Sequence, residues 1–464
     1  MEETSVLIVG AGPSGLALGA LLGRMNVKRE IRALLKEFPT VEFRTGCEVI
    51  GREELADYSI VDYVEQGGTR KQIRTTWLVG ADGKRGVVRK KFLEPEGIKQ
   101  VEGAWKYVGT WVAANLKITI PTPKSHPEFP LWQLGYTPEQ VHEIFWPSGF
   151  QFATKIVNQW FIRRAMLIGD AAHVFPPFGG QGIATGIRDA QGLAWRLGMM
   201  SRMKLTTEVQ QKIMTGWSQE RRHGWQAAME ATKLNGSIVN LRSFFKGFIF
   251  RTVMRILWWF PSIARYRTKE SFKDKLAFNH ESCPDGFFIG KAGGGRKVAQ
   301  VWVREPGASP QLSDSAFIRD PGHFSLVVLV RNQSDADAAA IADLLAEANL
   351  PEGLLTMDDV TFYDISGSSS QGMTSNLKAG GKVYYPCTGT ELLEEDITPI
   401  PAYDVTAVQD RLPNCRAMIR IPIKSPMQCV SKRTRLDSVP SSRIREMIFT
   451  AASAASMQAL LICS

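Results

Sequence analysis

Residues 164–197, RAMLIGDAAHVFPPFGGQGIATGIRDAQGLAWRL, place a strand, a polar turn, a glycine-rich loop and a helix next to one another. The apolar run at residues 165–168 is typical of a strand that is buried on both faces, and it ends at Gly169 and Asp170. Ligands of open α/β sheets bind at the carboxyl ends of strands. We therefore expect the Asp170 carboxylate to accept a hydrogen bond from a ligand hydroxyl group.

A proline- and glycine-rich loop follows this strand and leads into a helix. Residues 176–182 predict irregular backbone, and residues 183–197 have apolar side chains at helical spacing. Free N–H groups and the positive end of the helix dipole favour negative charge at a helix N-terminus. The loop therefore predicts a site for an electron-rich group at Gly180, Gln181, Gly182 and Ile183.

A second glycine-rich turn lies near the start of the chain. The β-branched apolar run at residues 5–9 is followed by GAGPSG at residues 10–15 and then by small residues and leucines. In a GxGxxG turn, the first glycine makes the tight turn, the second lets the backbone approach a pyrophosphate, and the third lets strand and helix pack closely. The strand before it and the helix after it predict a dinucleotide site, with contacts from Gly10, Gly12, Ser14 and Gly15.

The sequence allows two interpretations of the segment that should supply the acidic residue for the adenosine ribose. This residue should end a second strand about 20 residues after the glycine-rich turn. Residues 33–37, which end in Glu37, could form that strand, but residues 29–38 also have apolar side chains at helical spacing. We favour the helix, followed by a strand at residues 41–49, so the ribose-binding residue stays open.

A third strand runs into a polar turn at residues 77–89. This stretch contains Asp82 and Gly83 and ends at Arg89. A hairpin is predicted just before it, from residues 59–65 and 70–78 around a Gln-Gly-Gly turn.

These three motifs resemble those of the single-component FAD-dependent aromatic hydroxylases, the class A flavoprotein monooxygenases that include phenol hydroxylase. The proline-rich residues 117–133 are similar to the fungal branch of that family. The resemblance implies that Asp170 binds the ribityl chain of FAD and that residues 180–183 face the isoalloxazine ring. It also associates Asp82 and Gly83 with FAD and pyridine nucleotide. Ala184 departs from the asparagine that the family often has.

The resemblance implies an α/β fold, with a Rossmann-type FAD-binding domain of the glutathione reductase and p-hydroxybenzoate hydroxylase type. In this family, NADPH or NADH reduces FAD, O₂ adds at the flavin C4a atom, and the resulting hydroperoxide hydroxylates a small phenolic or other aromatic substrate. Most of this chemistry belongs to the cofactor, so no protein nucleophile is expected and no catalytic residue is assigned. We interpret His173 as a hydrogen-bonded loop histidine, not as a base.

The intervals between the motifs are shorter than in the family, which predicts internal deletions after about Val27 and after about Phe150. The substrate-binding insertion, at about residues 101–160, would then hold only a remnant of its sheet. We expect such a chain to expose apolar surface of the Rossmann core, including Val6 to Val9, Leu167 and Ile168. We also expect it to oxidise NADPH slowly and largely without coupled hydroxylation. An alternative function is a truncated, non-catalytic FAD-binding remnant that acts as an interaction module.

Composition shifts predict four regions. Residues 1–200 form the FAD-binding domain, 201–290 a basic helical segment, 297–422 a C-terminal domain that resembles the thioredoxin-like domain of phenol hydroxylase, and 423–464 a basic, disordered tail. In the third region, residues 324–330 and 360–364 predict strands and residues 337–348 a helix. It contains no CxxC pair, so we predict a structural or homodimer-forming role.

The net charge of +10 is spread along the chain, which favours a solvated surface over nucleic-acid binding. Six cysteines without zinc spacing indicate a reducing compartment and no metal site, and we expect a cytoplasmic protein. Residues 244–263 are the most membrane-like, but they carry Lys246, Arg251 and Arg255. They predict an amphipathic helix and no membrane span, and peripheral membrane contact stays open as an alternative.

Overall fold

The computed structural model describes residues 1–22, 41–102, 108–113, 124–125, 127–128, 148–203, 205–239, 244–258, 286–287, 300–317, 324–331, 337–348, 350, 354–365, 382–398, 405, 408 and 417–420. The first half of the described chain contains eleven strands and one early helix. They are β1 (Glu2–Val9), α1 (Pro13–Leu22), β2 (Glu48–Glu54), β3 (Ser59–Val64), β4 (Arg70–Gly80), β5 (Gln100–Glu102), β6 (Val108–Ala113), β7 (Ser148–Ala153), β8 (Lys155–Val157), β9 (Phe161–Ile162), β10 (Ala165–Leu167) and β11 (His173–Val174).

The long strand β4 is the centre of the N-terminal sheet. It pairs in parallel with β1 along residues 73–80, antiparallel with β3 along residues 70–75, and in parallel with β10 along residues 78–80. Because the same β4 residues pair with β1 and with β3 or β10, β1 lies on one edge of β4, and β3 and β10 share the other. The alternating burial of β3 and the buried end of β4 match a half-buried hairpin that runs into a buried strand.

The register of these strands brings the three predicted motifs to one edge of the sheet. Val9 and Leu167 both pair with Gly80, so β1, β4 and β10 end side by side. Two further backbone hydrogen bonds continue the pairing past the strand ends. The Ala81 N–H group donates to the Val9 carbonyl oxygen, and the Ile168 N–H group donates to the Gly80 carbonyl oxygen. Each of the three polar turns therefore begins at the same carboxyl edge.

The hairpin before the third motif is confirmed by β3 and β4, and the strand at the start of the chain by β1. The predicted strand at residues 41–49 is wrong for most of its length, because β2 begins only at Glu48. Gly46 has a φ of 71°, a left-handed conformation that interrupts an extended strand. The segment that we considered for the ribose-binding acid, residues 29–38, lies outside the described residues.

Strands β5 to β8 form two small groups within the region expected to hold the substrate sheet. The strands β5, β8 and β11 form one sheet, and β6 pairs antiparallel with β7. The expectation that Leu167 and Ile168 are exposed is wrong, since both side chains are fully buried, and Val6 to Val9 are half-buried. They pack into the core that the sheet shares with the helices behind it.

Three long helices follow the glycine-rich loop: α2 (Gln181–Arg202), α3 (Thr207–Val239) and α4 (Phe244–Trp258). The helix predicted at residues 183–197 lies within α2, and α3 and α4 lie within the segment 201–290 that the sequence predicts to be helical. Helix α2 packs against both α1 and α3. Trp77, Trp160 and Trp217 are the largest fully buried apolar side chains, and they join the sheet to these helices. Within the described ranges, no helix is both long and apolar enough to cross a membrane.

The C-terminal region is a second mixed α/β unit. It contains β12 (Trp302–Arg304), β13 (Gln311–Leu312), the short helix α5 (Ser313–Ala316), β14 (Ser325–Val330), α6 (Ala338–Ala348), β15 (Val360–Asp364), β16 (Lys382–Pro386), α7 (Gly389–Glu394) and β17 (Ala417–Arg420). The strand order is β13-β12-β16-β15-β14-β17, with parallel pairing between β14, β15 and β16. The predicted elements at residues 324–330, 337–348 and 360–364 are confirmed, whereas a thioredoxin-like fold stays a prediction.

Aromatic side chains connect the two units. Trp195 on α2 packs edge-on against Phe287 and Phe324, with ring centroids 4.8 Å and 5.9 Å apart. Phe324 directly precedes β14 of the C-terminal sheet. The C-terminal sheet is therefore held against the helix that follows the glycine-rich loop.

Candidate flavin-binding site

The glycines of the first turn differ in what surrounds them. Gly10 has a φ of 114°, and a Cβ atom there would lie 2.4 Å from the Ala81 carbonyl group. A Cβ atom on Gly15 would lie 2.1 Å from the Gly10 carbonyl oxygen. By contrast, the nearest atom to a Cβ atom on Gly12 would be 4.0 Å away. Packing thus requires the first and third glycines, and the second leaves open space where a pyrophosphate could approach the backbone.

Ser14 joins the first motif to the strand end that carries Asp170. Its hydroxyl oxygen would be 2.3 Å from a Cβ atom on Gly169 and 2.1 Å from one on Gly186 of α2. The side chain therefore fills the narrow space between Gly169 and Gly186. Any larger residue at either glycine position would clash with the Ser14 hydroxyl group. A contact of Ser14 with FAD stays a prediction.

Asp82 lies in the polar turn of the third motif and uses one of its two carboxylate oxygens. Its Oδ2 atom accepts a hydrogen bond from the Val88 N–H group at 3.0 Å, and its buried Oδ1 atom has no hydrogen-bond partner among the described residues. Burial raises the pKa of Asp82, although the backbone N–H groups act in the opposite direction. Gly83 beside it has a φ of 80° and open space at its Cβ position. The turn thus keeps an unused acceptor.

Arg89 stabilises the fold of this turn. Its guanidinium group is buried, donates to the Lys84 carbonyl oxygen at 2.5 Å and forms an ion pair with Glu94. These contacts join the start of the turn to the end of the π-helix Val88–Leu93 that follows it. The arginine that closes the motif therefore stabilises the loop that positions Asp82.

Asp170 lies at the open end of β10. It belongs to the short 3₁₀ turn Gly169–Ala171, whose first residue has a φ of 60°, and it is exposed while both flanking residues are buried. Partial loss of solvation raises the pKa of the Asp170 carboxyl group, and His173 and Lys84 lower it. Within the described part of the chain, nothing donates a hydrogen bond to this carboxylate, so it is available to a ligand hydroxyl group.

The N-terminus of α2 is open as well. Gly180 is its N-cap residue with a φ of 63°, and no side chain caps the first turn. Gly180 and Gly182 have open space at their Cβ positions, and Ile183 is 62% exposed. Gln181 is held by a 3.3 Å hydrogen bond from Arg188. Burial lowers the pKa of Arg188 to about 10, so this arginine still adds positive charge near the helix N-terminus at neutral pH.

A buried polar network lies directly behind the Asp170 turn. Asp189 of α2 accepts hydrogen bonds from His173 at 2.7 Å, from the Gly169 N–H group at 2.9 Å and from Arg221 of α3 at 2.7 Å. Burial alone would raise the pKa of Asp189, but His173, Arg221 and these hydrogen bonds hold it below its ordinary value. The interpretation of His173 as a hydrogen-bonded histidine is confirmed, but the residue lies in strand β11 and not in a loop.

Sequence reasoning missed Asp189 and Arg221. The available signal was a charged residue on the apolar face of a predicted helix, because Asp189 lies three residues after Gly186 and four before Leu193. Such a residue is rarely buried unless it is paired. Among the described residues, no group of three His, Cys, Asp or Glu side chains could hold a metal ion.

Comparisons with known proteins agree with this geometry. Residues 131–232 match the family model described as FAD binding domain. A probable NADH-specific resorcinol 4-hydroxylase of Rhodococcus jostii is 29% identical over an alignment of 234 residues, and the match covers 41% of this chain and 42% of that protein. The 3-(3-hydroxy-phenyl)propionate/3-hydroxycinnamic acid hydroxylase of Burkholderia cenocepacia is 22% identical over 54% of this chain and 52% of its own. The chain thus spans about half the length of the curated relatives it matches.

Solved structures show the same fold. The anhydrotetracycline hydroxylase OxyS from Streptomyces rimosus matches with a TM-score of 0.53 and 17% identity, over 93% of this chain and 96% of its own. The flavin-dependent monooxygenase PieE, solved with FAD and substrate, matches with a TM-score of 0.54 and 12% identity, over 98% of this chain and 99% of its own. Residues 131–232 of this chain are therefore similar to an FAD-binding domain. The recognition of this chain as a relative of the FAD-dependent aromatic hydroxylases is confirmed, and its place in the fungal branch stays a prediction.

Proposed function

We propose that this chain is an FAD-dependent monooxygenase that hydroxylates a small phenolic or other aromatic compound with NADH or NADPH and O₂. The observation that carries the proposal is the shared end of three parallel strands, where Val9 and Leu167 both pair with Gly80. That register gathers an open glycine turn, an unpaired acceptor and a free carboxylate at one edge. Ligands of doubly wound sheets bind at such an edge.

The residues at this edge fit FAD. The backbone at Gly12 has room for the pyrophosphate, and the free carboxylate of Asp170 suits a ribityl hydroxyl group. The uncapped N-terminus of α2 suits the electron-rich edge of the flavin ring, because its N–H groups and dipole stabilise negative charge that develops there. When bound, FAD would supply the electron transfer from NAD(P)H and the activation of O₂.

The protein's own task is to position the ring and to exclude water from it. The strands β5 to β8 are the described part of the region expected to cover the substrate, and the acid or base that acts on the phenol is not assigned. If the short motif intervals leave this cover incomplete, NAD(P)H oxidation will exceed product formation. The non-catalytic remnant is not favoured, because the packing glycines, the unpaired Oδ1 atom of Asp82 and the exposed Asp170 carboxylate are all present among the described residues.

We extend the proposal to residues 297–422 as a thioredoxin-like domain with a structural or homodimer-forming role. The three parallel strands β14, β15 and β16, flanked by antiparallel β12 and β17, support a compact α/β unit. Cys387 is fully buried, and burial raises the pKa of its thiol to about 11. A thiol in that state is a poor nucleophile, which agrees with the absence of dithiol chemistry.

The experiment is a turnover assay on the purified full chain. We expect flavin absorbance after reconstitution with FAD, oxidation of NADH or NADPH that a phenol accelerates, and a hydroxylated product detected by mass spectrometry. The ratio of product to NAD(P)H consumed then measures how complete the substrate cover is. Flavin binding without acceleration by any of a panel of resorcinols, phenols and hydroxyphenylpropionates would contradict the hydroxylase function.

A further inference from the structure

Helix α4 (Phe244–Trp258) exposes an unusual amount of apolar surface. Phe245 is 70% and Phe248 is 56% exposed, although large aromatic side chains are normally buried. This helix alone contributes half of the large apolar side chains that are exposed in the described chain: Phe245, Phe248, Ile249, Phe250, Val253 and Ile256. An exposed apolar patch of this kind is typical of a surface that binds another protein, a membrane or a ligand.

Most of the exposed apolar side chains lie on one side of the helix, and Phe250 lies outside this group. Phe248 and Ile249 follow Phe245 by three and four residues, and Ile256 follows Ile249 by seven, so these four side chains lie along a single stripe. Arg251 and Arg255 are exposed as well, and they lie on the flank of this stripe nearest Phe248. The helix therefore combines an aromatic and aliphatic face with a basic border.

The stretch of sequence that contains α4 carries charge of one sign only. From residue 231 to residue 269 the sequence contains eight lysines and arginines and no aspartate or glutamate. A purely basic border is complementary to an extended anionic surface such as a bilayer of anionic lipids. At about 1.5 Å per residue, a helix of 15 residues is about 22 Å long, too short to cross a hydrocarbon core of about 30 Å.

We propose that α4 is an interfacial helix that docks this protein onto an anionic lipid bilayer. The helix would lie in the plane of the headgroups, with Phe245, Phe248 and Ile256 inserted below them. Arg251 and Arg255 would extend their charged ends to lipid phosphates along the edge of the stripe. This inference is independent of the flavin chemistry.

The test is vesicle co-sedimentation of the full chain. We expect binding to phosphatidylcholine vesicles that contain phosphatidylglycerol, weak binding to pure phosphatidylcholine, and a loss of binding as the salt concentration rises. The double variant Phe245→Ser/Phe248→Ser should bind about tenfold less or weaker still, because both inserted rings are lost. Leu393→Ser is the matched control, since Leu393 is 60% exposed on α7, and it should bind as the wild type does.

A second pair of variants separates charge from apolar contact and keeps the apolar face intact. Arg251→Gln/Arg255→Gln should lower binding to the anionic vesicles about tenfold to thirtyfold. The control Arg70→Gln/Lys155→Gln removes the same net charge from two exposed positions and should change binding little.

The inference is overturned if the wild type does not sediment with anionic vesicles at low salt, or if both α4 variants bind as tightly as their controls. A dimer interface would also overturn it. In that case the wild type would not bind vesicles, and light scattering would show that Phe245→Ser/Phe248→Ser converts a dimer into a monomer, because a second copy of the chain covers the apolar side of α4. Should the serine variant unfold, the arginine variants decide the question.

Discussion

The Nε2 atom of His173 lies 2.7 Å from the Oδ2 atom of Asp189, and both side chains are fully buried. The same carboxylate oxygen accepts the Gly169 N–H group, and the other oxygen accepts Arg221. Asp189 therefore connects the turn that presents Asp170 to the helix whose N-terminus is open. We infer that the relative position of these two parts of the flavin site depends on one buried carboxylate.

Removal of that carboxylate should destabilise the fold strongly. Asp189→Ala would leave His173 and Arg221 buried without their partner, and loss of one member of a buried ion pair lowers stability by about 3–5 kcal/mol. Chemical denaturation of the variant and of the wild type measures this difference. The control Asp343→Ala changes an exposed aspartate on α6 and should remain within about 0.5 kcal/mol of the wild type. A similarly small effect of Asp189→Ala would contradict the network.

The pH dependence of stability follows from the lowered pKa of Asp189. Because the folded pKa lies below the ordinary value of 3.8, the folded chain keeps this group charged at pH values where the unfolded chain already binds a proton. Its contribution to stability is therefore fully present above the unfolded pKa and is lost as the pH falls through the folded pKa. We expect the free energy of unfolding to fall less steeply with acid in Asp189→Asn than in the wild type. Equal slopes in the two proteins, measured by denaturation in acid, would show that Asp189 does not titrate as described.

Asp170 should matter for cofactor affinity and little for folding. Asp170→Ala removes a free acceptor, so ribityl hydroxyl groups would stay unpaired, which lowers FAD affinity by about 1–3 kcal/mol, or about tenfold to a hundredfold. Fluorescence titration of the apoprotein with FAD measures the dissociation constant. Asp343→Ala again serves as the control, and an unchanged affinity in Asp170→Ala would remove this residue from the site.

Substitution by alanine should affect FAD binding at Gly12 and folding stability at Gly15. Gly12→Ala places a methyl group in open space, so the protein should fold normally but bind FAD about tenfold more weakly or worse, because the methyl group occupies the room for the pyrophosphate. Gly15→Ala forces a carbon atom to within 2.1 Å of a backbone oxygen and should lower stability by at least about 1–3 kcal/mol. Thermal unfolding and FAD titration of both variants separate the two effects. Normal folding and normal FAD binding in Gly12→Ala would contradict the pyrophosphate assignment.

The local elements of the site could be predicted from the sequence. The strands that end before Gly10, Asp82 and Gly169 and the helix that begins after Gly180 follow from apolar runs and from glycines in left-handed conformations. These signals reside in neighbouring residues, because backbone conformation and short apolar runs depend on local side chains. The strand predicted at residues 41–49 shows the limit of such signals. Gly46 has a positive φ, and the observed strand begins after it, at Glu48.

Only the tertiary structure decided how these elements meet. The common pairing of Val9 and Leu167 with Gly80 joins residues that are far apart in the sequence, and a shift of one position would turn every side chain to the other face. Packing likewise buried Ile168, directed Ser14 between two glycines and paired His173 with Asp189. Strand register, close packing and the pairing of buried charges depend on distances between chain segments, so they are properties of the folded molecule.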